Sequence, residues 1–426
     1  MINNSQIFEV PNINAKDADV KKLVFKVSDI FLKKDNSLKL DEYICVCSGG
    51  TTSSCAKNNF MTLDLRKNYS HINFDLEKKI VTIGGGVGMK SLLVELEKFG
   101  RFFPTGLSNL PGVGFVLTGG ISPLSRRYGL AIDNMEFIKG YLGNGNQFSI
   151  NKEEIKGEEE IKLWEGIKGG APFFSIITEI GLKTFKSFPI SIFEGFVNTN
   201  ELSDLIKLAE KFPTNTSLQW MFAEKIYIYI LCELKTSADK LFCRDLQVSL
   251  NRFKSLRNNI FSDFSKVRFF PSELNLFELN EENHSEVISL LGRNSENNNF
   301  RLIKTLSEIM KNRPNSSCYV ACQQLGGKTE VEHQWGSYFV HRDSTWKPWI
   351  YTSWKKNDLK EKKLAYEWLT ESWTKLKEFY PKIHLAQLHN HLNFHSEEIN
   401  LAYGKKLSKL KLLKNFYDPE GNLPPL

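Results

Sequence analysis

The sequence predicts an α+β protein built around two hydrophobic cores. Its 426 residues, 41% of them hydrophobic, exceed what a single core usually accommodates. Short β-prone runs alternate with amphipathic helical stretches up to Lys186, and after Pro189 helices alternate with strands that predict an antiparallel sheet covered by helices. We therefore expect a first domain over residues 1–186, with two α/β subdomains of about 1–68 and 69–186, a second domain over 187–380, and a C-terminal segment over 381–426.

The charge and composition point away from nucleic-acid and membrane partners. The formal net charge of +7 comes from 56 basic residues dispersed among 49 acidic ones, without the basic tract that is typical of nucleic-acid binding. No segment has the apolar length of a membrane span, and the N-terminus lacks the features of a secretory signal. We expect a cytoplasmic protein whose seven cysteines are reduced and, lacking zinc-site spacing, bind no metal.

The first domain opens with a helix, a strand and a loop of small residues. Helical spacing from Asp19 to Lys33 is followed by a β-prone run from Tyr43 to Cys47, which leads into the loop from Ser48 to Ser54. Because short side chains leave backbone amides free to face an anion, this loop is a candidate phosphate cradle. Further strands are expected over residues 61–65 and 80–83.

A second glycine cluster, residues 84–88, follows the strand that ends at Ile83. Its spacing fits neither the dinucleotide-binding G-x-G-x-x-G motif, whose third glycine would fall on Met89, nor a Walker loop, which would need Lys90 one place earlier. We interpret it as a plain strand-to-helix turn. The helix that follows is expected to turn Leu92, Leu93, Leu96 and Phe99 inward.

The densest set of small residues lies between Pro104 and Asn134, which suggests a backbone that runs close against a ligand. Residues 143–146, Gly-Asn-Gly-Asn, have the chemistry of a hairpin turn. A second small-residue patch, residues 168–171, precedes a strand expected over 175–180. Because a long dinucleotide needs both a pyrophosphate cradle and a bed for its rings, the two small-residue loops together indicate more than either does alone.

The second domain shows helices and alternating strands. A helix is expected from Leu202 to Phe212, and Ile226, Ile228 and Ile230 alternate with tyrosines as in a strand. Aromatic strands are expected over 337–341 and 349–354, followed by a helix over 360–379. Tyr338, Tyr351, Trp335 and Trp354 are candidates for a substrate pocket or for the core. A last helix carries Tyr403, Leu407, Leu410 and Leu413 on one face and ends at 418–421.

Several of these motifs resemble those of vanillyl-alcohol-oxidase-like flavoproteins with a PCMH-type FAD-binding domain, and of their berberine-bridge-enzyme-like branch above all. Residues 47–50, Cys-Ser-Gly-Gly, resemble the family's Arg-Ser-Gly-Gly-His-Ser loop, and residues 106–114 its Gly-Thr-Cys-Pro-Ser-Val-Gly-Val-Gly segment. Residues 117–121, Leu-Thr-Gly-Gly-Ile, and the more specific run 124–134 are also similar. So are residues 163–179 and, in the tail, the stretch from Ala402 to Pro419, so that the resemblance spans most of the chain.

The resemblance implies an FAD held between two α/β subdomains, with its flavin under the sheet of the second domain, and a C-terminal segment that returns to the FAD domain. In the second domain it is loose, resting chiefly on residues 340–343 and Trp354. By position, the implied FAD-binding residues are Ser48, Gly49, Gly50, Thr51, Thr52, Gly106, Ser108, Leu110, Pro111, Gly112, Val113, Gly114, Gly119, Gly120, Tyr128, Gly129, Gly169, Gly170, Ile176 and Asn393.

This chain departs from the family at both positions that link the flavin covalently. Thr51 stands where the family has the linking histidine, and Ser108 stands where it has the linking cysteine. Neither side chain supplies an imidazole or a thiolate that could attack the flavin ring, so we expect FAD to be bound noncovalently. Losing both links leaves FAD affinity to contacts alone, and a degenerate member of the family is the alternative.

A catalytic base is expected in the C-terminal segment, 381–426. Asn393-Phe394 resembles a pair that the family places beside the flavin, with His391 at another tyrosine position. His391 is the candidate base, because an imidazole accepts a proton near neutral pH. An ordinary core or surface histidine is the alternative. His389, His391 and His395 lack a fourth metal ligand, and no metal is assigned.

The expected function is that of an FAD-dependent oxidoreductase acting on a small molecule. A hydride would pass from an alcohol, sugar or amine carbon to flavin N5, and oxygen or another acceptor would reoxidise the flavin. The alternative is a binding protein that keeps the fold without turnover. Thr51, Ser108 and Phe394 motivate this alternative. Pro111 replaces the family's valine close to the flavin, so the sequence leaves the acceptor open.

Overall fold

The computed structural model describes residues 7–9, 43–51, 55, 62–108, 110–267, 283–294, 298–385 and 395–426. The strands, numbered in chain order, are β1 Ile7–Glu9, β2 Cys45–Cys47, β3 Thr62–Asp64, β4 Ile72–Asp75, β5 Ile80–Gly84, β6 Arg101–Phe102, β7 Met135–Leu142, β8 Gln147–Asn151, β9 Ser175–Lys183, β10 Phe185–Lys186, β11 Ile190–Val197, β12 Thr216–Phe222, β13 Ile226–Glu233, β14 Arg257–Phe261, β15 Asn283–Leu291, β16 Tyr319–Gln324, β17 Trp346–Lys355 and β18 Lys382–Ile383.

The helices are α1 Met89–Glu97, α2 Gly114–Leu117, α3 Ser125–Tyr128, α4 Glu158–Phe174, α5 Thr199–Ala209, α6 Ser237–Leu250, α7 Asn299–Lys311, α8 Leu359–Lys377, α9 His395–Tyr403 and α10 Leu407–Tyr417. None of these helices in the described ranges combines the length and the apolar character that a bilayer crossing requires.

In the described residues the first part of the chain forms three sheets, the smallest of which is the antiparallel pair of β6 and β10. A parallel sheet has the strand order β1-β3-β2, and an antiparallel sheet has the order β4-β5-β9-β7-β8. The predicted hairpin at residues 143–146 connects β7 to β8, and its Gly145 has a φ of 81°, as such turns require. Strand β10 ends at Lys186, and β11, the first strand of the next sheet, begins at Ile190.

The glycines of the turn after β5 allow the backbone to pack closely against its neighbours. A Cβ atom on Gly85 would lie 2.0 Å from the carbonyl oxygen of Ile177, and one on Gly86 would lie 2.2 Å from that of Leu65. The turn therefore lets β5 approach two neighbouring segments and leads into α1. Phe99 was wrongly expected to point inward: it follows the end of α1, is 45% exposed and rests against Phe74.

The large sheet, which begins with β11, has eight strands in the order β14-β11-β13-β12-β16-β17-β15-β18. Helices α5, α7 and α8 cover one of its faces, where α8 packs on β17. The other face meets the first part of the chain: the Ser217 hydroxyl of β12 donates to the Pro123 carbonyl at 2.6 Å. Strand β13 is buried on both faces, so its alternation of isoleucine and tyrosine separates two interfaces rather than core from solvent.

One predicted strand is wrong. Residues 337–341 form no strand, because their backbone groups bond to the first part of the chain: the amide of Tyr338 donates to the carbonyl of Lys168 at 2.6 Å. Lys406, beyond α9, donates to the carbonyl of Ser337, also at 2.6 Å. The aromatic alternation that suggested a strand reflects burial between two packed units.

The C-terminal helices lie on the first part of the chain. The Tyr403 hydroxyl donates to the Gly169 carbonyl at 2.8 Å, and a Cβ on Gly170 would lie 2.5 Å from Leu410. The amide of Ile44, just before β2, donates to the carbonyl of Asn422 at 2.8 Å. The expected single face from Tyr403 to Leu413 is in fact divided between α9 and α10 by a short turn over 404–406.

A buried ion pair joins the two parts. Both carboxylate oxygens of Asp133 accept hydrogen bonds from the Arg342 guanidinium, at 2.6 and 3.0 Å, and the two side chains are 0% and 6% exposed. The amide of Leu130 also donates to Asp133, at 2.9 Å, and the guanidinium donates to the Val331 carbonyl at 3.0 Å. Each buried charge therefore depends on the other and on backbone groups of both parts.

We expect Arg342→Met to lower the free energy of unfolding by about 3–5 kcal/mol, because it leaves the buried Asp133 carboxylate without its partner. Arg293→Met removes the exposed Arg293–Glu330 pair and is expected to cost at most about 1 kcal/mol. Urea unfolding of both variants and the parent protein measures the difference. Equal effects of the two substitutions would contradict the assigned role.

Candidate functional site

The hydroxyl of Ser48 joins the first predicted small-residue loop to two other segments. Its Oγ donates to the carbonyl of Gly85 at 2.6 Å and accepts from the amide of Val113 at 2.9 Å. The loop after β2, the turn after β5 and the start of α2 therefore meet at one side chain. Ser48 directly follows β2, Gly85 directly follows β5, and Val113 directly precedes α2. The ends of these three elements therefore position the three residues.

The backbones of the two predicted loops are in direct contact. A Cβ atom on Gly49 would lie 2.1 Å from the amide nitrogen of Gly112, and one on Gly112 would lie 2.4 Å from the nitrogen of Gly49. The carbonyl of Pro111 accepts a bond from the amide of Met89 at 2.9 Å, which fixes the second loop on α1. The convergence of the two loops that a dinucleotide needs is present in the fold.

Arg66 adds a cation to this region, although the sequence analysis did not single it out. A Cβ on Gly50 would lie 3.2 Å from Nη1 of Arg66, and the Arg66 side chain is 39% exposed. Its Nε is 2.9 Å from the Asp64 carboxylate. Burial alone would raise the pKa of Asp64, but the bonds and charge of Arg66 lower it overall. The sequence signal that could have revealed Arg66 is the Asp-x-Arg pattern at the end of a strand that pairs with the strand before the glycine loop.

The second loop leaves space beside its small residues. No atom would lie within 4 Å of a Cβ on Gly114, whereas Gly106 is lined by the Phe115 ring at 3.1 Å. Ser108 Oγ accepts from the Leu110 amide at 3.2 Å, and Leu110 is 42% exposed. Thr51, Pro111 and Ser108 are half-buried, and Val113 is buried.

Gly119 and Gly120 form a second tight segment. Their φ angles are 123° and 72°, and a Cβ on Gly120 would lie 2.4 Å from that of Ala131. The amides of Ala131 and Ile132 donate to the carbonyls of Gly120 and Gly119 at 2.9 and 3.0 Å. This pairing fixes the most family-like run of the sequence, residues 124–134, against the loop.

Several other residues that were expected to bind FAD are packed against protein atoms. The buried Tyr128 hydroxyl donates to Glu233 of β13, and Gly129 lies against the Asp133 side chain. Gly169 faces the backbone of Tyr338, whereas Gly170 faces Leu410 of α10. Ile176, 1% exposed, belongs to a cluster with Tyr141 and Leu65. Neighbouring protein atoms fill the space at the side-chain positions of these residues, so only their backbone groups remain available to a ligand.

Three predicted residues, Thr52, His391 and Asn393, lie outside the described residues. The assignment of His391 as the base therefore stays a prediction. Of the aromatic pocket candidates, Trp354 packs on Tyr366 of α8, and Tyr351 stacks on Tyr319 at 4.8 Å on the opposite face of the sheet. Tyr338 lies under the ammonium of Lys406, and Trp335 is half-buried.

A row of polar side chains that the sequence analysis missed crosses the inner face of the large sheet. Gln219 of β12 pairs with Gln323 of β16, and Gln323 pairs with Lys347 of β17. Cross-strand partners share a face, and Gln219 donates to Ser217, whose hydroxyl reaches the first part of the chain. Polar residues at alternating positions of apolar strands were the signal, but only the register shows that they adjoin.

His384 connects this face to the Gly119 loop. Its Nε2 is 2.9 Å from the carbonyl of Thr118, so this nitrogen carries the hydrogen and donates. Its amide donates to the carbonyl of Ser289 in β15, and its ring meets that of Phe339 edge to face. Burial, and secondarily the charge of Lys347, lowers the pKa of His384 to about 3, so the ring is neutral.

The arrangement fits an extended anionic dinucleotide. Backbone amides of the two glycine loops and the Arg66 cation lie close to the place where the loops meet, which suits a pyrophosphate. The open side of Gly114 and the Gly119 loop lead from there to the face of the large sheet. Thr51 and Ser108, at the expected linking positions, offer no thiolate or imidazole.

Comparisons with known proteins show that this chain is similar to FAD-binding proteins. Residues 40–151 match the family described as the FAD binding domain. An FAD-linked oxidoreductase of Dictyostelium discoideum is 24% identical over 395 residues, which cover 89% of this chain and 81% of that protein. (R)-6-hydroxynicotine oxidase of Paenarthrobacter nicotinovorans is 30% identical over 181 residues, which cover 40% of this chain and only 37% of that enzyme.

Solved structures show the same fold. The berberine-bridge-enzyme-like 1 protein of Physcomitrella patens superposes with a TM-score of 0.76 at 17% identity, covering 96% of this chain and 88% of that one. A chitooligosaccharide oxidase superposes with a TM-score of 0.77 at 16% identity, covering 98% and 90%. Identities this low establish the fold alone.

The comparisons confirm four predictions: the resemblance to berberine-bridge-enzyme-like flavoproteins, the α+β fold with its PCMH-type FAD-binding domain, FAD as the cofactor, and the enzyme class. The chain is an FAD-linked oxidoreductase. Geometry places only the site residues that lie in the described ranges, and the contacts of all of them with FAD stay predictions.

We expect Gly49→Ala to separate the two loops, because its Cβ would meet the Gly112 amide at 2.1 Å. The strain should lower stability by about 1–3 kcal/mol and weaken FAD binding. Gly88→Ala is the control, since no atom lies within 4 Å of its Cβ. Thermal unfolding of the apoprotein and FAD titration measure both effects, and Gly49→Ala protein that matches Gly88→Ala in both would contradict the contact.

Proposed function

We propose that this protein binds FAD noncovalently and oxidises a hydroxyl or amine compound by transferring a hydride to flavin N5. The observation that carries the proposal is the contact between the Ser48–Gly49 and Gly112–Val113 backbones, which brings the two FAD loops together. Once bound, FAD supplies the electron-accepting ring. The protein binds it, keeps water away and orients the substrate carbon.

The noncovalent part of the proposal rests on the side chains at two positions. Thr51 and Ser108 carry hydroxyls, and neither is a nucleophile toward a flavin ring without an activating base. Ser108 Oγ already accepts a bond from the amide of Leu110. FAD affinity then depends on the amides, Arg66 and the apolar bed.

The substrate side of the proposal rests on the inner face of the large sheet. This face presents the stacked Tyr319–Tyr351 pair and the half-buried Trp349 beside the polar row of Gln219, Gln323 and Lys347. His384 connects it to the Gly119 loop. A mixed apolar and polar wall of this kind suits a small molecule. Oxygen or another small acceptor would reoxidise the flavin.

The departing substrate proton needs an acceptor. His391 keeps this role as a prediction, since the resemblance places it beside the flavin. Two related oxidases of amine and sugar type, the hydroxynicotine oxidase and the chitooligosaccharide oxidase, support the range of substrates considered. All seven cysteines are buried and none forms a disulfide, which supports the cytoplasmic location that we propose.

Acid precipitation tests the noncovalent link. We expect purified protein to be yellow and trichloroacetic acid to release all of its FAD into the supernatant, because no covalent bond holds the flavin. The visible flavin absorbance of the supernatant and of the redissolved pellet measures how the flavin is distributed between them. Yellow colour that stays with the pellet would contradict the proposal.

Anaerobic reduction separates an enzyme from a binding protein that has lost turnover. We expect at least one compound in a broad panel of alcohols, sugars and amines to bleach the bound flavin, since hydride transfer converts it to the reduced form. Dithionite is the positive control for reducibility. Flavin that dithionite bleaches but no member of the panel does would favour the non-catalytic alternative.

A further inference from the structure

Three buried polar atoms on the inner face of the large sheet have no hydrogen-bond partner within the described part of the chain. They are Oε1 of Gln219, Nε2 of Gln323 and Nδ1 of His384, in side chains of residues that are 1%, 4% and 7% exposed. A buried polar atom without a partner costs stability, so such atoms call for a ligand or a bound water. Their clustering on one face favours a ligand.

The three atoms differ in what they can bind. Nε2 of Gln323 is a donor, and Oε1 of Gln219 is an acceptor. Because Nε2 of His384 donates to Thr118, Nδ1 of His384 carries a lone pair and is also an acceptor. A ligand that satisfies all three must offer both an acceptor group and donor hydrogens.

Lys347 adds a positive charge to the same row. It is the cross-strand neighbour of Gln323 and lies close enough to His384 for its charge to act on that ring. Its ammonium rests over the Trp349 ring at 4.8 Å, and no carboxylate of the described residues lies within salt-bridge distance. An inward-facing cation without a counter-ion favours an anion and disfavours a protonated amine.

We propose that the substrate is an alcohol that carries a carboxylate, an inference that rests on the proposed oxidation. Lys347 and Gln323 bind the carboxylate, and Nδ1 of His384 accepts a hydrogen bond from the hydroxyl group. Gln219 satisfies a further hydroxyl or a water. His384 is bonded to the Thr118 carbonyl beside Gly119, so this arrangement sets the hydroxyl-bearing carbon next to the expected flavin bed.

Spectral titration of the FAD-loaded protein with three matched ligands tests the proposal. Mandelate, 1-phenylethane-1,2-diol and 2-amino-1-phenylethanol share a phenyl carbinol and differ in a carboxylate, a hydroxymethyl or an ammonium-bearing group. We expect mandelate to bind about tenfold to a hundredfold more tightly than the diol, and the amine to bind most weakly. Equal affinities, or no perturbation of the flavin by mandelate, would overturn the proposal.

Variants assign the preference to Lys347. Lys347→Met should abolish the preference for mandelate, and Lys347→Arg should keep most of it, because the guanidinium retains the charge. Lys355→Met, at the exposed end of the same strand, is the control and should behave like the parent protein. FAD content and melting temperature verify folding. A preference that survives in Lys347→Met would exclude this role.

The two proposals fail in different ways. Protein that takes up no FAD, measured by its absorbance after titration with the cofactor, would remove the proposed function and this inference with it. Protein that binds FAD and is bleached by an amine or a neutral alcohol, without preference for the carboxylate, would leave the oxidoreductase proposal intact and remove only the inference about Lys347.

Discussion

One hydroxyl group and one pair of glycines hold together loops that are far apart in the chain. Ser48 and Val113 are separated by 65 residues, yet the hydroxyl of the first accepts a bond from the amide of the second. The approach is possible only because Gly49 and Gly112 lack side chains. A cofactor that spans both loops depends on this contact, and so does every later placement of flavin and substrate.

A second set of contacts connects the two halves of the molecule. The Asp133–Arg342 pair and the His384–Thr118 bond both connect the segment 117–134 to residues that follow β16 or β18. The same segment therefore carries the expected flavin bed on one side and the large sheet on the other. Because each buried charge needs the other, the ion pair holds this segment against the large sheet, as the proposed hydride transfer requires.

Local signals in the sequence predicted local structure well. The hairpin at 143–146, the turn after β5 and the convergence of two small-residue loops follow from glycine positions and from family motifs, and they are where they were expected. The failures concern tertiary contacts. Residues 337–341 look like a strand but bond to Lys168, and the Tyr128 partner, Glu233, is 105 residues away. The row of Gln219, Gln323 and Lys347 appears only once the register of three strands is known, and so no periodicity reveals it.

The hydrogen bond between Ile44 and Asn422 has a consequence for biosynthesis. Ile44 directly precedes β2, but the Asn422 carbonyl that its amide binds is synthesised almost 380 residues later, after the whole central sheet. The domain at the N-terminal end therefore cannot reach its final form during translation of the central sheet. The hydrogen bond at Ile44, four residues before the cofactor loop that begins at Ser48, therefore forms only after Asn422 has been synthesised.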